Sequence, residues 1–472
     1  MDAEQIRGLG PLLTDYLCHF DDCFPHSQTR GHLDVYVRGQ LSDLPRKSVE
    51  PIALQAAMPP RTLQQFLSLL QWDRPLMARR LQQFVAKEHA SPHSVGILDD
   101  TGCPKKGDKT PGVRRQYCGA TGKVDNCVVS VHLNYAAEDF HCLLGNELFL
   151  PEEWSQDRER CRAAGIPDSV VYRPKWRIAL EQYERALDNG VRFEWLTFDE
   201  NYGNKPELLN ALERRQQKYV AEIPKNVCGW IRPARLRLGP RGGLKRSHAP
   251  SAVENLLRYS PALRDQPWKA YRVKDGEKGP MVWEVKHVRF YPQTAEGDPA
   301  KPLHLIIARN VLAPDEVKFF ISNAPPKTRV AILLLVAFSR WRIERCFEDS
   351  KTELGFDHYE GRNYEGMMRH QTVTAVTYLF LAHTREQWRG EKPGLDRVST
   401  ANGLEWAGPI LVATWQGEAR ELGALCEHDC VPAGPECEGT QEPPQANHRQ
   451  VARDWRLPKS AAKMQMESAV AL

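Results

Sequence analysis

The sequence lacks three features that would place the protein in a membrane or outside the cell. Its longest apolar run, Val330 to Phe338, is far too short to span a bilayer. Its start, Met1 to Gln5, lacks the basic and then apolar pattern of a secretory signal. The twelve cysteines are scattered and form no CxxC pair, so we expect reduced thiols. These absences predict a cytoplasmic protein without a membrane partner.

A strong charge of either sign is also lacking. Lysine and arginine number 64 and acidic residues 60, which gives a net charge of +4 over 472 residues. This excess is too slight to indicate a nucleic-acid partner, so the positions of the cations matter more than their number. The hydrophobic content of 41% is enough for a large core, and the length predicts two or three domains.

The first 90 residues predict a helical N-terminal domain. Leu63, Phe66, Leu67 and Leu70 recur at helical spacing after a Pro-Pro pair. Arginines are interleaved with these helices. Such a unit could bind DNA, but arginines that are merely solvated on a helical bundle explain the pattern equally well.

Residues 91–224 begin with three predicted strands, which suggest a meander, and then alternate helix and strand patterns, which predict an α/β layer with a mostly parallel part. The apolar run Val95 to Leu98 ends in Asp99 and Asp100, and a later apolar strand ends in Asp199. Loops at the carboxyl ends of parallel strands are where active sites form. Alternation does not decide which acid of the pair faces the site, since both faces of a covered strand are apolar.

Residues 225–326 predict a β-rich insertion, and residues 225–248 contain no acidic residue. A flexible, solvated loop is the plain alternative to a DNA-binding role for this segment. We call the following five cations of the insertion the basic stretch: Arg232, Arg235, Arg237, Lys245 and Arg246.

Helices return in residues 327–387. Residues 388–472 show little periodicity and predict a poorly ordered tail. The spacing of the Cys and His residues in this tail fits no zinc site.

One stripe of a late helix combines a carboxylate with two cations. Arg340, Glu344 and Lys351 stand four and seven residues apart and therefore share one helical face. A solvated ion pair would explain Arg340 and Glu344 alone. Together with Asp100 and Asp199, however, Glu344 completes a set of three carboxylates from separate elements. Carboxylates are the kind of donor that Mg²⁺ prefers.

These residues resemble those of bacterial DDE transposases of the insertion-sequence-four group, which carry a Tyr-Arg-Glu-Lys signature. Asp100-Thr101 resembles the first motif, Asp199-Glu200-Asn201-Tyr202-Gly203 the second, and Arg340, Glu344 and Lys351 the third. Within that group the chain resembles the insertion-sequence seven-hundred-and-one branch. The runs that carry this similarity are Asp99-Asp100-Thr101-Gly102, Pro104-Lys105-Lys106-Gly107, Gln116 to Gly119, Gly122 to Cys127 and Leu354 to Arg362.

The resemblance implies an RNase-H-like catalytic core, interrupted by the β-rich insertion, whose two Mg²⁺ ions (or Mn²⁺) are held by Asp100, Asp199 and Glu344. It implies that Arg340 and Lys351 hold DNA phosphates, with Asp99 and Tyr202 in support. The expected partners are the inverted-repeat ends of a mobile element and its target DNA, bound by a homodimer at the bacterial nucleoid. One departure is Ala337, which stands where the signature has tyrosine.

The resemblance leaves two classes of function open. The first is an active transposase that cuts and joins DNA. The second is a non-catalytic, transposase-derived DNA-binding protein or regulator. The presence of all three acids favours the first, because a protein without the chemistry would have no need of them.

Overall fold

The N-terminal part of the chain is helical. The computed structural model describes residues 3–232, 236–238, 244–276 and 279–391. The predicted tail, with its candidate Cys and His residues, lies outside them from residue 392 onward. A 3-10 helix at Cys18–Cys23 accompanies five α-helices: α1 (Ala3–Leu17), α2 (Ser27–Leu41), α3 (Val49–Gln55), α4 (Pro60–Ser68) and α5 (Arg74–Glu88).

Four consecutive strands open the next part, and helices alternate with strands after them. Its elements are β1 (Val95–Pro104), β2 (Arg114–Cys118), β3 (Lys123–Ala137), β4 (Phe140–Leu148), α6 (Glu152–Gln156), α7 (Arg158–Ala163), α8 (Lys175–Asp188), β5 (Trp195–Phe198), α9 (Glu200–Gly203), α10 (Pro206–Arg214) and β6 (Lys218–Ile223). All four residues of β5 are buried, as expected of a strand covered on both faces.

The insertion is rich in strands, and three helices follow it. The insertion contains β7 (Cys228–Trp230), β8 (Leu236–Leu238), β9 (Leu244–Arg246), β10 (Ser251–Ala252), α11 (Val253–Tyr259), α12 (Pro261–Arg264), β11 (Lys269–Gly276), β12 (Gly279–Pro292), β13 (Leu303–Asn310) and β14 (Val317–Ser322). The last helices are α13 (Val330–Phe338), α14 (Trp341–Thr352) and α15 (Tyr364–Glu391).

One large mixed sheet runs through the described residues. Its order is β10-β7-β12-β13-β14-β6-β5-β1-β3-β2, with β11 beside β12 and β4 beside β3. Strands β1, β5 and β6 are parallel, and β3 is antiparallel to β1. This arrangement is consistent with the predicted RNase-H-like fold. Because β14 pairs with β6, the strands of the insertion extend the sheet that contains β1, β5 and β6.

The N-terminal helices pack against α15, so their prediction as a separate domain is not confirmed. Tyr36 Oη lies 2.9 Å from His370 Nδ1, and Gln40 donates a hydrogen bond of 2.7 Å to Thr374. The guanidinium of Arg369 donates to backbone carbonyls at the end of α4 and beyond it. The buried side chains of these helices belong to the same hydrophobic core as the sheet.

Candidate active site

Three acidic side chains stand in a row where the parallel pairing of β1, β5 and β6 ends. The two parallel ladders pair the residues that directly precede each acid. Continued by one residue, the register sets Asp99 beside Asp199 and Asp199 beside Glu222. Residues in register on parallel strands point to the same face. The row of Asp99, Asp199 and Glu222 therefore lies on one face of the sheet.

Local structure fixes the position of Asp199. It directly follows β5 and caps the short helix α9, where its carboxylate accepts hydrogen bonds from the backbone N–H groups of Asn201 (3.0 Å) and Tyr202 (3.3 Å). The Asn201 side chain donates a further bond of 2.9 Å to the other carboxylate oxygen. Asp199 is thus held at the strand end with its carboxylate oriented.

The guanidinium of Arg340 lies against this row. Its Nη2 is 3.5 Å from Asp99 Oδ2, and its Nη1 is 3.6 Å from Glu222 Oε2. The same Nη2 lies 3.2 Å from Glu344 Oε1, one turn along α14. The Arg340 side chain is 19% exposed, whereas that of Glu344 is 63% exposed. Arg340 therefore links the late helix to the strand-end acids.

Burial dominates the electrostatics of the row. It raises the pKa of Asp99 to about 7; Arg340 opposes the rise, and Asp199 and Asp100 add to it. Burial also raises the pKa of Asp199, again against the effect of Arg340. Burial lowers the pKa of Arg340, but the surrounding carboxylates more than compensate and raise it above its usual value. An ionised carboxylate in this row is therefore unfavourable, and a cation beside it would stabilise it.

Asp100 belongs to a different set of contacts. Its Oδ1 accepts a hydrogen bond of 2.9 Å from Lys175 Nζ, at the start of α8, and its Oδ2 accepts one of 3.3 Å from Tyr202 Oη. Burial raises the pKa of the Tyr202 hydroxyl well above its usual value, with Asp100 adding to the effect, so Tyr202 is a donor at neutral pH. The structure thus places Asp99 rather than Asp100 against Arg340.

Lys351 contacts β1. Its Nζ donates to Thr101 Oγ1 (2.7 Å) and to the carbonyl oxygen of Gly102 (3.2 Å), both on β1. The Phe347 ring packs edge-on against the buried His132, 4.9 Å between centroids, on the same side of the helix. These contacts fix α14 against β1.

The structure describes the basic stretch only in part. Arg232 is exposed. Strands β8 and β9 pair as a hairpin in which Arg237 stands opposite Lys245 and Arg246 stands opposite Leu236. Arg235 lies outside the described residues.

Sequence reasoning missed Glu222 and Lys175. Glu222 stands one residue before the end of a strand that we predict, and its position in the register of Asp199 could have marked it. The contact between Lys175 and Asp100 joins residues 75 positions apart, and no local pattern indicates it.

The acids fit a magnesium site by their chemistry. Asp99, Asp199 and Glu344 offer only carboxylate oxygens, the ligands that Mg²⁺ prefers. The Arg340 guanidinium already shows that a cation is stable beside them. In the part of the chain that the structure describes, however, no three His, Cys, Asp or Glu side chains are arranged closely enough to hold an ion. The donors are therefore suitable, while a closed coordination shell is not formed.

Comparison with known families identifies the family of this chain. The model of a family described as DDE superfamily endonuclease matches residues 19–280. The chain belongs to this DDE endonuclease family. The match includes Asp99, Asp100, Asp199 and Glu222 but ends before Glu344. The DDE transposase resemblance of the sequence is thereby confirmed at the level of the family.

A curated relative of this DDE endonuclease supports the same assignment. The chain is 30% identical over 218 residues to a probable transposase for insertion sequence element IS701 from Microchaete diplosiphon. The aligned region covers 46% of this chain and 54% of that protein, so the chain spans about half the length of its relative. In the described residues, no helix is both long and apolar enough to cross a membrane.

Proposed function

We propose that this DDE endonuclease is a transposase that cuts DNA at the terminal inverted repeats of an insertion sequence and joins the ends to target DNA. The observation that carries the proposal is the row of Asp99, Asp199 and Glu222, with Arg340 against it. Parallel-strand ends that carry aligned carboxylates suit metal-assisted phosphoryl transfer. The expected substrate is double-stranded DNA, bound by a homodimer.

We assign the metal-holding role to Asp99, Asp199 and Glu344, in place of the Asp100 that the sequence resemblance implies. The contacts of Arg340 with Asp99 and Glu344 support this choice, since they bring these two acids to one cation. Asp100 then acts as a positioning residue, because its bonds with Lys175 and Tyr202 connect the middle of β1 to α8 and α9.

Two Mg²⁺ ions, or Mn²⁺ in their place, would activate the attacking oxygen and stabilise the leaving oxygen of an in-line displacement. Arg340 would bind a DNA phosphate next to the cut, since its charge is maintained by the acids around it. Lys351 has three donors and uses two on β1, so one is left for a phosphate. Both roles remain proposals of this site.

Cleavage of the DNA that flanks the gene tests the proposal. The wild type should nick a duplex carrying these flanks in Mg²⁺ or Mn²⁺, and EDTA should stop it. Glu344→Gln should lower the cutting rate at least about a hundredfold, because the metals supply several kcal/mol of transition-state stabilisation. Its affinity for DNA should change little, since the substitution removes no cation.

A matched control lies one turn further along α14. Glu348 is 63% exposed and pairs with Arg345 at 3.3 Å, away from the row of acids. Glu348→Gln should therefore cut like the wild type. Binding of the flanks without cleavage in either metal would contradict the proposal and favour the non-catalytic regulator.

A further inference from the structure

The hairpin of β2 and β3 exposes one face that the proposed chemistry does not use. Along β2 the exposed Arg115 and Tyr117 alternate with partly or fully buried residues. Tyr117 is 66% exposed and stands directly opposite Val124, which is 57% exposed. Two large apolar side chains paired on an open surface suggest that a partner covers them.

The other face of the hairpin holds it to the body of the protein. Cys118 and Cys127 are buried with Val129 in a small cluster, and Phe149 packs on it. The hairpin turn is fixed by two backbone hydrogen bonds to the carbonyl of Cys118, from Thr121 (3.1 Å) and from Gly122 (2.9 Å). The exposed face is therefore presented on a fixed support.

The charge of this segment indicates an acidic partner. Residues 105–126 contain six Lys or Arg and two Asp, a net charge of +4 that equals the net charge of the whole chain. Lys106, Arg115 and Lys123 are exposed and form no ion pair among the described residues. Lys105 is different, since it donates to the carbonyls of Asp357 (3.0 Å) and Tyr359 (2.7 Å) and so fixes the base of the segment.

Lys123 stands opposite Cys118 directly after the turn, so it is exposed at the tip of the hairpin and not on the face of Tyr117 and Val124. We propose that this face and the tip together bind the DNA duplex beside the cut, with Arg115 on the face and Lys123 at the tip on backbone phosphates, and Tyr117 and Val124 against sugars or base edges. The inference rests on the proposed function. Phosphates attract exposed cations irrespective of sequence, and tyrosine serves both as a hydrogen-bond donor to phosphate and as an apolar contact.

The strand geometry predicts where the contact falls. Asp99 pairs with His132 on β3, and Arg115 pairs with Asn126 on the same strand. Six residues separate Asn126 from His132, and nine separate Lys123 from it. At about 3.3 Å per residue these spans are about 20 and 30 Å. With a rise of 3.4 Å per base pair, the hairpin reaches phosphates roughly six to nine base pairs from the cut.

Salt-dependent binding tests the inference. The double variant Arg115→Gln with Lys123→Gln should lower the slope of log K against log salt by about 1.8, since each phosphate contact contributes about 0.9. If the two proteins bind equally at 1 M salt, this difference in slope makes the affinity of the double variant at 0.1 M salt up to about 60-fold lower than that of the wild type. The control Arg214→Gln with Lys301→Gln removes the same charges from exposed positions on α10 and before β13, and should keep the slope.

The length of the DNA gives a second readout. Once the wild-type cut is mapped, duplexes that end 5 or 15 base pairs from it, on either side, are compared. The double variant should bind more weakly than the wild type only where a 15-base-pair arm is present on one side. Tyr117→Ala should show the same length dependence without a change in slope.

The outcomes separate this inference from the proposed function. If the wild type cuts DNA while both hairpin variants bind every duplex as the wild type does, the hairpin inference is wrong and the transposase proposal stands. Loss of self-association in Tyr117→Ala with unchanged DNA binding, seen by analytical ultracentrifugation, would also overturn it in favour of a second copy. If the wild type binds but does not cut, the proposed function fails, and the slope still decides whether the hairpin contacts DNA.

Discussion

Substituting Asp99 and Asp100 separately gives opposite expectations for stability and activity. The pKa of Asp99 is raised from 3.8 to about 7, chiefly by burial. This rise in the pKa corresponds to about 4 kcal/mol of free energy for ionising Asp99 in the folded protein, since a tenfold change in an equilibrium constant is worth about 1.36 kcal/mol. Between pH 3.8 and 7 the folded protein binds this proton and the unfolded chain does not, so stability falls as the pH rises. Above pH 7 the ionised Asp99 lowers the free energy of unfolding by this full amount.

Asp99→Asn removes the ionisable group and with it this cost. In EDTA, the variant should gain stability relative to the wild type, and the gain should grow by about 2 kcal/mol between pH 5.5 and pH 7 and stay constant above it. The loss of one partner of Arg340 reduces the absolute gain but not its pH dependence. Urea unfolding followed by circular dichroism at pH 5.5 and 8 measures the change.

Asp100→Asn should behave in the opposite way. The substitution weakens the ion pair between Asp100 and Lys175, whose charged atoms lie 2.9 Å apart. The Lys175 side chain is 33% exposed and that of Asp100 is 18% exposed. The hydrogen bond from Tyr202 stays largely intact. We expect a loss of about 1 kcal/mol and retained, slower cutting. Addition of Mg²⁺ at pH 8 should stabilise the wild type and Asp100→Asn, but not Asp99→Asn, because a ligand stabilises the state that binds it.

One result would refute this assignment. If Asp100→Asn folds normally and no longer cuts, while Asp99→Asn still cuts, then Asp100 holds the metal as the sequence resemblance implies, and the register argument has chosen the wrong acid. The stability measurement ensures that a dead variant is not simply unfolded.

Two further predictions concern DNA binding and stability. Replacing Arg232, Arg237, Lys245 and Arg246 together by Gln should lower the salt slope of DNA binding by about 0.9 for each phosphate that is no longer neutralised, and an unchanged slope would mean that these cations are only solvated. Arg369→Gln should lower the free energy of unfolding by about 2–3 kcal/mol, because it leaves buried carbonyls of α4 and its following turn without donors; thermal melts beside the exposed control Arg79→Gln measure it.

Local patterns predicted many elements of this fold because each pattern consists of neighbouring residues. The apolar run Val95 to Leu98 and the helical spacing that begins at Leu63 needed no knowledge of the remaining chain. Which strands pair across long distances is not contained in such patterns. The pairing of β14 with β6 and the packing of the N-terminal helices on α15 join segments far apart in sequence, so no local pattern indicates either of them.

The same distinction applies to the site. Acids that follow an apolar strand were visible in the sequence, and Asp199 was found in this way, whereas Glu344 was found from its helical spacing to Arg340. The choice between Asp99 and Asp100 was not visible, since both faces of β1 are covered and alternation carries no signal there. Glu222 was missed because an apolar residue, Ile223, follows it, so it lacks the strand-end position that marks the other acids.

The row of acids connects the stability of this protein with its chemistry. Among the described residues, Arg340 and Lys318 face four carboxylates here: Asp99, Asp199, Glu222 and Glu344. Burial is the main cause of the raised pKa of Asp99 and Asp199, and neighbouring carboxylates add to it against the effect of Arg340, so these acids destabilise the fold when they are ionised at neutral pH. A divalent cation at the same place would remove that cost. The arrangement that weakens the metal-free protein is therefore the one that favours metal binding, because both effects come from carboxylates that are ionised in a buried place.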